Sequence, residues 1–348
     1  MRLLSLPTGA RFTNKQILVF MLPVFLEQLM IIGMGIADTF MVSSIGESAV
    51  AGVSLVTSVD KFVRQVFSAL AAGGSVVLSQ YIGAENGEKA EEALRSCTHV
   101  VFVIGCVVSA LMLALNKPIF SLLFGGAEPP VMEASQIYFF CTASSYPLMA
   151  LYNVGTASYR AMGNSRIPLF ASLSMMAGNL GLKYIFIFVM KMGVAGAGLS
   201  TALGMGLVGI ALLLLLRNPK NRVPINRLFY FRYDWSLIGR IFRVSVPNAI
   251  ENGMFQFGLI VLQGLVSTLG TTSIAANGIA SNLNPLLGCV SIGFSMSLMV
   301  IVGQCMGAGK PDEAALYIKN VLKLIYLSLA VFSIIFALLT GGLVSLFG

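Results

Sequence analysis

Seven ionisable side chains stand inside long apolar stretches of this 348-residue sequence: the acids Glu27, Asp38, Asp60 and Glu251, and the bases Lys61, Arg64 and Lys183. A charge at mid-membrane depth is costly unless it is paired or wet, so each of the seven is a candidate for function. Glu27 and Glu251 each follow a proline by four residues, Pro23 and Pro247. Proline removes a backbone donor and loosens the helix turn, which can open a cavity beside the acid. An acid in such an apolar cleft holds its proton more tightly and can alternate between protonated and ionised forms as its exposure changes. That is the chemistry of proton- or cation-coupled antiport. The plainer reading makes each glutamate a structural partner for a helix-end amide or a basic residue. Asp38 reads either as a cation site or as an interfacial acid bonded to nearby backbone. Asp60 and Arg64 have i,i+4 spacing, which suits a local salt bridge. Alternatively, Lys61 or Arg64 faces a central cleft and contacts an anionic group on a substrate.

The polar inventory excludes other chemistry. No nucleophile–base pair or metal constellation stands among the buried polar residues, so an enzyme is not expected. The single histidine, His99, rules out a multi-histidine metal site. The five cysteines lack metal-type spacing and read as small buried hydrophobes. No cofactor is expected beyond a coupling ion, H+ or Na+, and no metal beyond that possible Na+.

The elements that position these residues must be membrane helices. Hydrophobic residues make up 57% of the chain and charged residues 10%, against about 25% charged in soluble domains. Such a chain cannot cover itself with polar surface, and the bilayer must be its solvent. Nine apolar stretches are long enough to cross: about 16–42, 49–82, 94–116, 134–159, 167–190, 194–216, 240–268, 272–306 and 319–346. Placing the N-terminus in the cytoplasm puts nearly all Lys and Arg residues outside the spans on the inner side, among them Arg2, Arg11, Arg160, Arg166, Arg227 and Arg232. Only Lys117 and Lys191 fall outside. This asymmetry accounts for most of the net charge of +8 and removes the reason to expect a nucleic-acid partner. The one obvious linker is 217–239, where Phe229, Tyr230, Tyr233 and Trp235 suit the headgroup layer.

The chain also repeats itself. A shift of 224 residues lays Pro23, Glu27, Ser43, Gly46, Gln80, Gly83, Ala84 and Ala90 on Pro247, Glu251, Ser267, Gly270, Gln304, Gly307, Ala308 and Ala314. Duplicated hydrophobic segments mark a secondary transporter built from two related lobes. Six spans precede the linker, so both copies keep one orientation and an axis along the membrane normal should relate them. The expected fold class is all-α, a polytopic membrane protein. Its parts are a six-helix N-terminal lobe at 1–216, a cytoplasmic linker at 217–239 and a three-helix partial C-terminal lobe at 240–348. Ser345-Leu346-Phe347-Gly348 echoes a point halfway through the first copy, at Gly125, so the second copy is expected to be cut short by three spans.

At these residues the chain resembles the multidrug and toxic compound extrusion (MATE) family of cation-coupled antiporters. The resemblance rests on Pro23 through Glu27, on Asp38 with Met41, Val42, Ile45 and Gly46, and on Gln80 with Gly83 and Ala84. It continues through Gly163-Asn164-Ser165-Arg166-Ile167-Pro168, Asn179, and Gly193 to Gly198 with Thr201. It implies two six-helix lobes rocking around a V-shaped cleft, with H+ or Na+ entry driving export of bulky amphipathic compounds. It implies an N-lobe polar network at Asp38, Asn179 and Thr201, and a coupling acid at Glu251. The family's fifth-span acid is replaced here by Lys183, one turn after Asn179. An ammonium there would act as a tethered counter-ion for Asp38, and coupling would then lean on Glu251. With Lys61 and Arg64, it also hints at a zwitterionic or anionic substrate. The expected partners are that small molecule and the bilayer, the expected site is the cytoplasmic (inner) membrane, and no oligomer is expected. The alternatives are a lipid-linked-precursor flippase of the same superfamily and a nonfunctional fragment.

Overall fold

The computed structural model describes residues 12–124, 128–226, 230, 234–267 and 271–344. Arg2, Arg11, Gly125, Arg227, Phe229, Arg232, Tyr233, Gly270 and the closing echo at 345–348 lie outside the described residues. Eleven α-helices follow one another: α1 Asn14–Ser43, α2 Glu47–Gly83, α3 Gly87–Ala114, α4 Asn116–Phe124, α5 Pro129–Ser144, α6 Tyr146–Ala161, α7 Arg166–Lys183, α8 Gly193–Leu216, α9 Trp235–Ser267, α10 Thr271–Gly307 and α11 Pro311–Val344. A π-helical turn, Tyr184–Val189, extends α7. No strand occurs among the described residues.

Local chemistry sets several boundaries. Thr13 and Gln16 form a reciprocal capping box at the start of α1. The Asn86 side chain accepts from Lys89 N at 3.1 Å and caps α3. Asp234 accepts from Ser236 N at 2.9 Å to start α9. Hydrogen bonds from Ser236 and Leu237 hold its carboxyl below the ordinary carboxylate range.

Six described helices are long and apolar enough to cross a membrane: those within α1, α2, α3, α7 with its π turn, α8 and α11. The fourth expected span is broken. Helix α5 stops at Ser144 and α6 begins at Tyr146, because Pro147 cannot supply the N–H that would continue the ladder. The Ser145 hydroxyl closes the break by donating to Thr142 O at 2.7 Å. The third span carries a separate short helix, α4, at its end. Helices α9 and α10 occupy the seventh and eighth expected spans with 33 and 37 residues.

The repeat is visible bond for bond at two turns. After α2, Ala84 N donates to Gln80 O and Asn86 N to Tyr81 O. After α10, 224 residues on, Ala308 N donates to Gln304 O and Lys310 N to Cys305 O. Glu85 and Gly309 take the same left-handed conformation, with φ of 56° and 70°. The two copies also cross symmetrically. A Cβ on Gly83 would collide with Gln304 O, and one on Gly307 would collide with Gln80 O. A Cβ on Gly303 would come within 2.8 Å of the Cβ of Ser79, its own counterpart. Small residues let membrane helices approach this closely. We call this crossing the seam; it lies at the basic, linker-bearing end of the bundle.

Each copy's first helix packs against the other copy at that end. Ile17 of α1 sits in the apolar cluster of α10 and α11 with Ile301, Cys305 and Tyr317. Its counterpart Ile241 of α9 sits in the larger cluster built by α2 to α8. Packing thus crosses the sequence boundary between the copies.

Candidate functional site

Glu27, one turn beyond Pro23, is 2% exposed. Its Oε1 meets Arg160 Nη2 of α6 at 2.5 Å and accepts from Ser172 Oγ of α7 at 3.1 Å. Ser172 also bonds the Tyr152 hydroxyl at 2.8 Å. Glu27 Oε2 and Arg160 Nε are buried without a hydrogen bond. The acid is therefore a fixed tie between α1, α6 and α7, held through one of its two oxygens.

Asp38, nearer the other end of α1, contacts Lys183 Nζ at 2.6 Å. Lys183 is 1% exposed, and the Asp38 side chain 25%. Helix α7 supplies both Lys183 and Asn179 from adjacent turns. Asn179 Nδ2 donates to Thr201 Oγ1 of α8 at 3.3 Å, and Thr201 donates to Ala197 O. The four residues of the expected N-lobe network thus form two contacting pairs, Asp38–Lys183 and Asn179–Thr201. Asn179 Oδ1 stays buried without a partner. An ammonium this deep is stable only while its carboxylate stays beside it.

The expected cleft trio divides. Lys61 and Arg64 are exposed on α2. Asp60 is turned inward and 8% exposed. Its Oδ1 accepts from the Tyr146 hydroxyl at 2.7 Å and the Thr142 hydroxyl at 3.4 Å. The local Asp60–Arg64 ion pair suggested by spacing does not form within 4.0 Å. Hydroxyls from α5 and α6 take the carboxylate instead.

Glu251 stands apart from the other acids. It is exposed on α9 one turn after Pro247, and it has no hydrogen bond or ion pair among the described residues. No cluster of three or more potential metal-ligating side chains occurs among the described residues.

Sequence spacing did not reveal Arg160, Ser172, Tyr146 or Thr142. Their acids lie 82 to 145 residues away in the chain, and only the fold joins them. Bonds across the seam are also new. Gln304 Nε2 donates to Ala161 O at 2.8 Å, Ser245 Oγ to Leu70 O at 3.3 Å, and Arg240 Nη1 to the Tyr81 hydroxyl at 3.1 Å. All lie toward the basic end.

The family model described as MatE matches residues 23–185 and 247–348. The matched blocks start at Pro23 and Pro247, the two prolines that the 224-residue shift superposes. The chain belongs to the MatE family. It is 28% identical over 346 residues to a FAD transporter of Shewanella oneidensis, covering 95% of this chain and 74% of that protein. A probable multidrug resistance protein, NorM, of Thermotoga maritima is 25% identical over 86% of this chain and 65% of its own length. Among solved structures, a MOP superfamily transporter from Pyrococcus furiosus superposes with a TM-score of 0.90 at 20% identity, over 96% of this chain and 74% of that one. A MATE structure in a bent conformation gives 0.88 at 21% identity, over the same 96% and 74%. These similarities show the fold. As a MatE-family member, the chain is a multi-pass membrane transporter for small molecules and not an enzyme.

Proposed function

We propose that this MatE-family chain exports small amphipathic organic compounds in exchange for inward H+ or Na+, by alternating access between two lobes, 1–216 and one of which 240–348 forms part. The observation that carries the reading is the reciprocal seam, Gly83 on Gln304 and Gly307 on Gln80. Two-fold crossings of this kind let two lobes rock about one axis. With the basic end in the cytoplasm of an inner-membrane protein, the seam joins the lobes on the inner side.

Glu251 is the coupling acid in this reading. Glu27 and Asp38 each hold a fixed cation, and coupling then leans on Glu251, the repeat counterpart of Glu27. Substrates bearing an anionic group are favoured by exposed Lys61 and Arg64 on α2. The relative named as a FAD transporter supports the same preference. The relatives named for multidrug resistance support the second reading, export of cationic drugs. Both are tested by substrate-dependent flux in sealed vesicles. Glu251→Gln is expected to reduce ion-driven flux to the level of passive leak, while Asp38→Asn leaves ion dependence in place. Full coupling in Glu251→Gln, or its complete loss in Asp38→Asn, would reverse the assignment.

A further inference from the structure

Three acids in the first six spans lie among packed helices, and they are not equivalent. Arg160 neutralises Glu27 and Lys183 neutralises Asp38. Asp60 has no cation within ion-pair distance among the described residues, although it is 8% exposed. Its stabilisation comes from two neutral hydroxyls, and both donate to the same oxygen, Oδ1. Its second oxygen, Oδ2, accepts no hydrogen bond among the described residues. A carboxylate withdrawn from water without a counter-ion meets its desolvation cost by taking up a proton. A proton from water can add at Oδ2 without disturbing the Tyr146 and Thr142 bonds.

The surroundings keep that proton exchangeable. On its own helix stand Arg64, beyond ion-pair distance, and Lys61, the next residue, both exposed. From α5 come Thr142 and Tyr138, and from α6 comes Tyr146. The repeat counterpart of Asp60 is Asn284, so the arrangement belongs to the first copy alone.

We propose that Asp60 is a reversible proton-binding site inside the first lobe, with the proton carried on Oδ2 and the carboxyl held by Tyr146 and Thr142. Its use in coupled export rests on the reading above; its titration does not.

Infrared difference spectra of the purified full chain across pH steps test this. A C=O stretch of a protonated carboxyl is expected, present in the parent, Glu27→Gln and Asp38→Asn proteins and absent from Asp60→Asn. Tyr146→Phe keeps the acid but removes its shorter hydrogen bond, and it is expected to shift the frequency of that band. Survival of the band in Asp60→Asn overturns the proposal. If the Asn variant does not fold, an unshifted band in Tyr146→Phe overturns it equally. Loss of vesicle flux in Glu251→Gln bears on the exporter reading and leaves this spectrum unchanged, so the two can fail separately.

Discussion

Gly307→Ala is expected to abolish transport while leaving the helices intact. The new methyl would fall within van der Waals distance of Gln80 O, a backbone atom that cannot rotate away. Overpacking of this kind costs about 1–3 kcal/mol, which changes a two-state population by roughly 5- to 150-fold. The strain acts only when the seam is closed, so the lobes are pushed apart at the basic end. Gly83→Ala places its methyl on Gln304 O, across the same crossing, and is expected to behave alike. The double variant should lose less than the sum, because both methyls open one crossing. Gly87→Ala is the control. It lies just past the seam, and a Cβ there meets nothing within 4 Å. Flux in vesicles and thermal unfolding of each variant check this. Normal flux in Gly307→Ala would mean that the seam never needs to close.

Arg160→Ala is expected to be the most destabilising single change in the first six spans. It strips the 2%-exposed Glu27 of its cation and leaves Ser172 as the remaining donor. Removing one partner of a buried ion pair costs about 3–5 kcal/mol, whereas replacing both by apolar or neutral groups is often tolerated. The double variant Arg160→Met with Glu27→Gln should therefore unfold at a higher temperature than Arg160→Ala alone. Thermal melting of the three proteins in one detergent measures it. Equal melting of Arg160→Ala and the parent would show that Glu27 is already protonated and needs no cation. In that event Glu27 would return as a candidate for coupling.

Much of the architecture was legible before any coordinates, and for definite reasons. The 224-residue shift matched turn residues, and turns depend on local backbone chemistry. Gly83-Ala84 and Gly307-Ala308 consequently reappear as equivalent turns with equivalent hydrogen bonds. The Asp38–Lys183 contact was foreseeable because the resemblance put an ammonium where an acid normally sits. The break between α5 and α6 was hidden, since apolar residues run through it and only Ser145 and Pro147 interrupt the ladder. The role of Asp60 was misleading from spacing alone. An i,i+4 arginine is a sound local partner, yet hydroxyls from two other helices reach the carboxylate while Arg64 stays exposed. Arg160 looked like one more inner-side positive charge, and its service to Glu27, 133 residues away, is set by tertiary packing. The crossing of Ile17 and Ile241 into each other's clusters is likewise invisible in hydropathy, which reports burial and not the identity of the neighbour.

Rocking about the seam is tested most directly by a distance across it. Glu88 and Asp312 are exposed first-turn residues of α3 and α11, 224 positions apart. Spin labels at Glu88→Cys and Asp312→Cys, in a chain whose five native cysteines are replaced, report that distance by pulsed electron resonance in lipid. Two populations are expected, the shorter matching the closed seam, with their ratio moved by pH or Na+ and by substrate. A single distance, unchanged across all those conditions, would contradict a transporter that opens and closes here.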